Sequence, residues 1–551
     1  MRLTSVPLIG TFASRAIAES HTAAVLARAG ILGPMRPDRA VAAAAAVLLW
    51  GPTPAGGYAA CAARSPDRPA VIDDEGAVSF GELDRRTTRA AHALRARGLG
   101  DRARVAVLCR NSRHPVEAVV ALSKAGADTL LLNTGLSAAQ LREVIEREQV
   151  RAVVVDRDLA PLLAEAPPGL QRFAAWTGGS TAAEPSLEDL VEEGVEARLR
   201  PPEQTGRTVV LTSGTTGTPK GAVRSEPRSL APAAALLSRI PLRAGRTTLL
   251  AAPLFHTWGF ANLQLGSALA STLVLQRVFD PAAVLRAVQN HHVDALVAVP
   301  VMLSRLLETD PGPPSYDTST LRVAAVSGSA LPGPLATRFM DVFGDVLYNL
   351  YGSTEVSWAT IAVPAELRTS PGTAGRAPRG TRLELVDEAG SPVPQGETGR
   401  VFVGNDLLFE GYTAAGQDGD HQGDKTTLDG LMATGDVGHL DGDGLLHLSG
   451  RDDDMVVSGG ENVFPREVED LLAGEDEVAE AAVVGVDDEQ FGQRLAAYVV
   501  LRPGAALTAD DVRSRVKARL ARFSVPRDVV FLAALPRNAT GKVVPRELPP
   551  V

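Results

Sequence analysis

Residues 212–221 read TSGTTGTPKG and directly follow the apolar, strand-like stretch RTVVL at 207–211. The glycines let backbone amides approach a ligand closely, the hydroxyls donate hydrogen bonds, and Lys220 adds a compact positive charge. These properties suit a polyphosphate. The segment is not the common nucleotide loop, in which the lysine follows a glycine and precedes serine or threonine, because Lys220 lies between Pro219 and Gly221. The sequence therefore predicts a phosphate-binding loop of a different class.

The bulk composition restricts the possible functions. The chain has 551 residues and 45% hydrophobic content, which predicts at least two domains with a substantial core. The net charge of −10 provides no basic surface for nucleic acid, so we expect no nucleic-acid partner. The two cysteines allow one disulfide at most and no cysteine-based zinc site, which favours a reduced, cytoplasmic setting.

Residues 1–50 form an N-terminal extension with predicted helical stretches. Its longest apolar run, VAAAAAVLLW at 41–50, has about half of the roughly 20 residues that a bilayer crossing requires. We therefore expect no transmembrane span and at most a peripheral membrane contact, with packing on the main body as the favoured role.

The distribution of apolar segments predicts an α/β protein. Helix-like stretches such as FGELDRRTTRAAHALRARG (80–98) alternate with short apolar strands such as RVAVLC (104–109), a pattern typical of layered α/β subdomains around parallel sheets. Residues 375–450 have the short strands and Gly/Asp turns of a small β-rich subdomain. A small α+β domain follows. The predicted domains are 51–452 and 453–551, after the extension at 1–50.

Lysine is rare in this chain. There are five lysines among 55 basic residues: Lys124, Lys220, Lys425, Lys517 and Lys542. Because arginine is used almost wherever a positive charge suffices, a retained lysine points to a site that needs a compact ammonium group. Lys220 and Lys542 both lie in Gly-containing segments and are the leading candidates.

Eight segments, the opening loop included, occur in a fixed order along the chain. They are TSGTTGTPKG (212–221), PLFHTWG (253–259), SGSALP (327–332), NLYGSTE (349–355), ATGD (433–436), GRDDD (450–454), SGGENVFPREVE (458–469) and PRNATGK (536–542). This succession resembles the adenylate-forming enzymes, which include acyl-CoA synthetases, beetle luciferases and the adenylation domains of peptide synthetases. The resemblance extends from about residue 50 to the C-terminus and is closest to bacterial medium- and long-chain fatty acyl-CoA synthetases.

The resemblance implies a two-step ligation. A carboxylate attacks the α-phosphate of ATP to give acyl-AMP and pyrophosphate, and a thiol then displaces AMP to give a thioester. ATP, Mg²⁺ and coenzyme A are the implied cofactors, and a small-molecule carboxylic acid is the implied substrate. The parts that phosphoryl chemistry requires, namely amides, hydroxyls, lysine and a metal ion, agree with the motifs.

The resemblance also implies roles for individual residues. The phosphates are assigned to Thr212, Ser213, Gly214, Thr215, Thr216, Gly217 and Lys220; adenine to Gly328, Ser329, Ala330, Asn349, Tyr351 and Gly352; the α-phosphate to Thr354; the ribose to Asp436 and Arg451; and Mg²⁺ to Thr215 and Glu355. Lys542 is the implied catalytic lysine, and His256 joins Lys542, Thr215 and Glu355 as a catalytic candidate that, with Trp258, lines the acyl pocket.

The C-terminal domain is implied to be mobile. Asp453 lies at the position where the family turns this domain, which delivers Lys542 for adenylation and then presents the segment SGGENVFP for thioester formation. In the second orientation Gly459, Gly460 and Glu461 contribute to the pantetheine tunnel.

Several alternatives stay open for the acid and its acceptor. The stretch HTWGFANLQLGSALA (256–270) contains no Asp to hold a substrate ammonium group, and NLYGSTEVS (349–357) contains no double tryptophan of the acetate-activating type, so a longer acid without an α-amino group is favoured. An aryl acid–CoA ligase and a ligase that loads an acyl carrier protein are the alternatives within this class. A nucleotide-binding regulator without turnover is the alternative from another class, and the complete set of catalytic positions argues against it. Oligomeric state and acyl chain length stay open.

Overall fold

The computed structural model describes residues 8–33, 35–179, 184–212, 220–224, 229–309, 316–412, 426–451, 456–458, 461–488, 492–538 and 541–551. The predicted boundary at 452/453, with Asp453, lies outside these ranges. Across the described ranges, none of the helices combines the length and apolarity that a bilayer crossing requires.

The helices, in chain order, are α1 (Leu8–Ala29), α2 (Pro37–Trp50), α3 (Pro54–Arg64), α4 (Phe80–Ala96), α5 (Arg113–Ala125), α6 (Ala138–Arg147), α7 (Leu187–Glu193), α8 (Ala231–Leu237), α9 (Thr257–Ala268), α10 (Pro281–Asn290), α11 (Pro300–Thr309), α12 (Gly333–Phe343), α13 (Pro364–Thr369), α14 (Pro465–Ala473) and α15 (Ala509–Arg519). Their starts follow from local chemistry. The hydroxyl of Ser79 accepts a hydrogen bond from the Glu82 amide at the start of α4, and Asp280 caps α10 in the same way through the Ala283 amide.

The strands of the first half are β1 (Pro69–Asp73), β2 (Gly76–Ser79), β3 (Arg104–Leu108), β4 (Asp128–Leu131), β5 (Ala152–Val155), β6 (Gln171–Ala174), β7 (Thr208–Thr212), β8 (Lys220–Arg224), β9 (Thr247–Leu250) and β10 (Thr272–Val274). Those of the second half are β11 (Ala295–Ala298), β12 (Val323–Val326), β13 (Leu347–Tyr351), β14 (Thr360–Ala362), β15 (Arg382–Val386), β16 (Gly399–Gly404), β17 (Phe409–Tyr412), β18 (Thr427–Leu428), β19 (Leu431–Leu440), β20 (Leu446–Arg451), β21 (Val456–Ser458), β22 (Glu461–Val463), β23 (Val478–Asp488), β24 (Gly492–Leu501) and β25 (Asp528–Phe531).

Two large sheets carry the main body. The eight-stranded sheet has the order β14-β13-β12-β11-β9-β10-β1-β2, and its six inner strands run parallel. The seven-stranded sheet has the order β17-β8-β7-β4-β3-β5-β6 and is parallel from β7 to β6. Inner strands such as AVVV (β5) and VAAV (β12) are buried along their whole length, as helix-covered parallel strands require.

Two smaller sheets complete the fold. The β-rich subdomain contains β15, β16, β19, β18 and β20, all in antiparallel pairs. The C-terminal sheet has the order β22-β21-β24-β23, with β25 parallel to β24, and packs against α14 and α15. The predicted α/β class, with layered subdomains, a β-rich subdomain and a small α+β C-terminal domain, is confirmed.

The end of α1 and the residues after it pack on the main body. Val25, Leu26 and Ala29 are buried in the largest core, and the Ala29 carbonyl accepts a 2.7 Å hydrogen bond from the Ala244 amide. The guanidinium of Arg64 donates to the carbonyl of Gly30. These contacts fix where the chain enters α2.

Candidate active site

A cavity of about 650 Å³ opens at one edge of the eight-stranded sheet. The strands β9, β11, β12 and β13 are parallel, so their carboxyl ends meet at this edge, and the residues directly after each strand line the cavity. These residues include Pro253, Val299, Gly328 and Gly352. Ligands of open α/β sheets bind outside the carboxyl ends of the strands, which makes this cavity the candidate active site.

Lys542 lies at one end of the cavity. The short loop that carries it is closed by hydrogen bonds from the Asn538 amide to the Lys542 carbonyl and from the Gly541 amide to the Asn538 carbonyl, both 2.9 Å long. Gly541 has a φ of +80°, and a Cβ at this position would come within 2.6 Å of Val301, so the loop rests closely on α11. Glycine is therefore required there, and it seats the C-terminal segment against the main body.

Two effects lower the pKa of Lys542. Desolvation by the surrounding protein is the larger, and the positive charge of Arg451 adds to it, whereas Asp436 and Glu355 act in the opposite direction. The side chain has accessible surface because it lines an open cavity, while protein atoms still crowd around it. No carboxylate of the described residues forms an ion pair with this ammonium group. A negatively charged ligand would supply the missing partner.

His256 lines the cavity just before α9. Burial, and secondarily the charge of Lys542, lowers the pKa of His256 to about 3, so the imidazole is neutral at physiological pH. Its Nε2 atom is buried without a hydrogen-bond partner among the described residues. The next residue, Thr257, shares a 3.2 Å hydrogen bond with Thr354 through the two hydroxyls. The start of α9 therefore meets the NLYGSTE segment directly.

Tyr351 and Asp436 are in direct contact. The Tyr351 hydroxyl donates a 2.5 Å hydrogen bond to Oδ2 of Asp436. Burial raises the pKa of Tyr351 well above its ordinary value, with the Asp436 charge adding to the effect, and burial also raises the pKa of Asp436. Arg451 lies opposite Asp436 across the β19–β20 pair and lowers the pKa of that carboxyl. The structure thus brings together three of the predicted nucleotide-binding residues.

The predicted adenine segment lies at the ends of β12 and β13. Gly328 has a φ of +96°, a left-handed conformation that favours glycine, and Ser329 and Ala330 follow it at the surface of the turn. Asn349 is buried in β13. Gly352 allows a close backbone approach, because a Cβ there would lie 2.4 Å from the carbonyl oxygen of Ser357.

Glu355 is half-buried at the end of the same segment, where the Ser353 hydroxyl accepts a hydrogen bond from its amide. It lies near enough to Lys542 to raise the pKa of that lysine. The carboxylate is thus at the charged end of the site. Mg²⁺ in nucleotide sites is commonly held by one or two carboxylates together with substrate phosphates, so this donor fits a magnesium ion brought with ATP.

The opening loop of the sequence connects β7 and β8, and Thr212 pairs with Lys220 in that antiparallel ladder. The residues between them, and two of the predicted pantetheine residues, lie outside the described ranges: Ser213, Gly214, Thr215, Thr216, Gly217, Gly459 and Gly460. Glu461 begins β22 and pairs with Ser458 of β21. The phosphate and pantetheine assignments therefore stay predictions.

Sequence reasoning missed one wall of the cavity. Ala40, Ala43, Ala44 and Val47 of α2, within the N-terminal extension, line it. Their spacing of i, i+3, i+4 and i+7 places them on one helix face. An alanine-rich helix carries no polar signal that would mark such a role, and the spacing becomes informative only once the neighbouring helices are known.

The chain is similar to known proteins over most of its length. A family model described as AMP-binding enzyme matches residues 58–413, and one described as AMP-binding enzyme C-terminal domain matches residues 467–542. An indoleacetate–CoA ligase of Aromatoleum aromaticum is 34% identical over 503 residues, covering 88% of this chain and 94% of its own length. A fatty acid–[acyl-carrier-protein] ligase of Streptomyces coeruleorubidus is 30% identical over 507 residues, with coverage of 88% and 94%.

Among solved structures, the o-succinylbenzoate CoA synthetase of Bacillus subtilis, in complex with its acyl-adenylate intermediate, superimposes with a TM-score of 0.78. The two sequences are 27% identical, and the match covers 90% of this chain and 98% of the other.

Proposed function

The chain belongs to the AMP-binding enzyme family, and from this premise we propose that it activates an apolar carboxylic acid, with a medium- or long-chain fatty acid as the first candidate. The protein is an AMP-forming acid–CoA ligase that works through an acyl-adenylate and uses ATP and CoA. What remains to be assigned is the acid.

One observation carries the proposal: the cavity has a cationic end and an extended apolar end. Lys542 and neutral His256 lie at the first, and the second is formed mainly by apolar side chains of α2, α3, α8 and α9. Arg64 of α3 also lines the cavity, and its guanidinium donates to the Gly30 carbonyl. None of the described lining residues is an aspartate or glutamate. Such a site stabilises the carboxylate of an acid and its apolar tail, and offers no partner for an α-ammonium group.

In the first half-reaction, a carboxylate oxygen of the acid forms a bond to the α-phosphorus of ATP, and the bond from that phosphorus to the bridging oxygen of pyrophosphate breaks. Negative charge concentrates between the carboxylate and the α-phosphate. Lys542 neutralises it with a compact ammonium group, and Thr354 donates a hydrogen bond to the α-phosphate. Mg²⁺, when bound with ATP by Glu355, would neutralise the departing pyrophosphate.

In the second half-reaction, the sulfur of CoA forms a bond to the acyl carbon, the carbon–oxygen bond to AMP breaks, and the thiol proton passes to solvent. No protein nucleophile is needed. This agrees with the two cysteines, which are both buried and unpaired and whose pKa values are raised by burial, to about 12 for Cys61.

An aryl acid is the second candidate, and two observations favour it. Trp258 and Trp358 both line the cavity, and their rings are fixed by hydrogen bonds from Nε1 to the Ala298 carbonyl (3.1 Å) and to the Thr381 hydroxyl (2.7 Å). Fixed indole faces suit a flat ring. The indoleacetate–CoA ligase relative acts on an aryl acid by its name.

A carrier protein is an alternative acceptor, supported by the relative that is a fatty acid–[acyl-carrier-protein] ligase. Pyrophosphate release should be measured with ATP and hexanoate, dodecanoate, hexadecanoate, benzoate, cinnamate, indole-3-acetate and leucine, followed by thioester formation with CoA and with a phosphopantetheinyl carrier protein. We expect release with apolar acids, none with leucine, and a thioester with CoA. Preference for benzoate or cinnamate would select the aryl candidate, and no release with any acid would contradict the proposal.

A further inference from the structure

Helix α2 lies outside the part of the chain that the family model matches, which begins at residue 58, yet it lines the candidate active site. None of its residues is buried, although its sequence, PDRAVAAAAAVLLW, is apolar over most of its length. Trp50, the last residue of α2, packs against the main core, but core packing does not explain the rest of the helix. The neighbouring helices α9 and α3 show which part of the cavity α2 lines.

Helix α9 runs along the cavity, so the length of the helix gives the depth of the cavity. It begins beside Thr354, through the Thr257–Thr354 hydrogen bond, and its residues from Thr257 to Ala268 repeatedly face the cavity. Ser267 is ten positions further along, about 15 Å at the helical rise of about 1.5 Å per residue. The Ser267 carbonyl accepts a hydrogen bond from the Cys61 thiol of α3, and a Cβ at Gly57 would lie 2.4 Å from the Ser267 hydroxyl. Helix α3 therefore stands at the end remote from the nucleotide residues.

A tight turn fixes α2 to α3. A Cβ at Gly56 would come within 2.0 Å of the Gly51 carbonyl oxygen, and Gly51 itself has a φ of +70°. The Thr53 hydroxyl donates to the Trp50 carbonyl (2.9 Å) and accepts from the Gly56 amide (3.2 Å), which ties the end of one helix to the start of the next. The position of α2 is thus set by α3, at the same remote end.

The cavity-facing residues of α2 are small. They are Ala40, Ala43, Ala44 and Val47, on one face of the helix. Val41 and Leu48, which lie about 100° around the helix from the centre of this face, are 70% and 87% exposed. Small side chains along the inner face leave room for a ligand, and any larger side chain there would take up space that the ligand's tail needs.

We propose that α2 is the end wall of the acyl pocket and sets the length of the apolar acid that the enzyme accepts. This inference rests on the proposed function, in that the cavity holds the tail of the acid. The class of substrate it implies is an acid whose apolar tail reaches about 15 Å from the carboxylate, as judged from α9.

The chain offers a matched pair of substitutions for the test. Ala44→Phe places an aromatic ring on the cavity face, and Ala45→Phe makes the same change one residue later on the same helix, at an exposed position that does not line the cavity. Both variants alter helix propensity and surface hydrophobicity equally. Any difference between them therefore reports on the cavity alone.

The measurement is kcat/KM for pyrophosphate release by the full-length protein with butanoate, hexanoate, decanoate and dodecanoate. For Ala44→Phe we expect at least a tenfold loss with the two long acids and less than a twofold change with the two short acids, while Ala45→Phe follows the unsubstituted protein throughout. Equal profiles for the two variants would overturn the proposal.

A calorimetric titration with dodecanoate tests the role of α2 as the end wall independently of the proposed reaction. Weaker dodecanoate binding by Ala44→Phe than by Ala45→Phe supports the wall, even if no acid releases pyrophosphate and the proposed function fails. If both variants release pyrophosphate normally with apolar acids and bind dodecanoate with the same affinity, α2 is not the end wall of the pocket. The proposed function would then still hold.

Discussion

Two of the five lysines, Lys124 and Lys542, occupy contrasting surroundings. Lys124 is 1% exposed inside the main body, where its ammonium donates to the carbonyl (2.8 Å) and carboxylate (2.7 Å) of Asp84 and to the hydroxyls of Thr87 and Thr88 (2.9 Å each). Lys542 lines the cavity, and no carboxylate of the described residues pairs with it. Desolvation is the leading cause of the lowered pKa in both.

The two lysines differ in the groups that surround their ammonium charges. The three ammonium protons of Lys124 meet four acceptors, so its charge is satisfied by the fold. Lys542 faces the opposing charge of Arg451 and receives only longer-range support from Asp436 and Glu355. Low exposure and a lowered pKa therefore do not by themselves identify a functional lysine. The informative feature is a charge that the protein leaves for a ligand to complete.

The largest expected effect is a loss of stability when Lys124 is substituted. Lys124→Met removes the ammonium group and leaves Asp84, Thr87 and Thr88 without their shared donor. We expect the free energy of unfolding to fall by about 2–3 kcal/mol, the cost of buried polar groups that lose a partner, because the Asp84 side chain is 34% exposed and stays partly solvated. Denaturant titration measures this. Lys517→Met, at an exposed position, is the control and should change stability by less than about 0.5 kcal/mol.

The second expected effect is a pH dependence of adenylation that arises from Lys542. Because the pKa of Lys542 lies below the ordinary lysine value of about 10.4, its proton is lost at a lower pH, and adenylation, which needs the charged form, should decline as pH rises through that pKa. Above it, kcat/KM for pyrophosphate release should fall about tenfold per pH unit. In Lys542→Arg the guanidinium keeps its charge, so whatever activity remains should lose this alkaline decline. An identical decline in both proteins would assign it to another group.

A smaller effect is expected at Tyr351→Phe. The substitution removes the hydroxyl that donates to Asp436, whose carboxyl already has a raised pKa. The free energy of unfolding should fall by about 1–2 kcal/mol, the usual contribution of one hydrogen bond to a charged group, because Asp436 keeps Thr434 and Arg451 as partners. Since we also assign Asp436 to the ribose, KM for ATP should rise more than KM for the acid. A variant with unchanged stability and unchanged ATP dependence would remove this pair from the site.

The smallest effect is an absence of titration at His256. A pKa of about 3 means that the imidazole binds no proton between pH 5 and pH 8. The NMR chemical shifts of its ring protons should therefore stay constant over this interval. A midpoint near 6.5 for His256 would show that the imidazole is far better solvated than the structure indicates.

The sequence predicts much of the fold because its signals are local. The apolar run RVAVLC at 104–109 forms β3, and the helix-like stretch FGELDRRTTRAAHALRARG at 80–98 forms α4, as predicted. Parallel strands place the segments that follow them at one edge of the sheet, so the motif residues after β12 and β13 meet there.

What the sequence does not reveal depends on distant contacts. The scarcity of lysine singles out Lys124, but its partners are about 40 residues earlier on α4, and nothing local indicates that they satisfy it. Tyr351 and Asp436 are 85 positions apart. The wall formed by α2 is an alanine-rich helix whose inner face is defined only by the helices opposite it.

Lys542, which has no carboxylate partner within the described part of the chain, serves adenylation in this account. The most direct test of this claim measures the two half-reactions of Lys542→Ala separately: pyrophosphate release from ATP and dodecanoate, and thioester formation from supplied dodecanoyl-AMP and CoA. Loss of one preorganised cation predicts a roughly 10²-fold slower first half-reaction, about 3 kcal/mol, and a second half-reaction that changes far less. Equal losses in both, or undiminished pyrophosphate release, would contradict the claim.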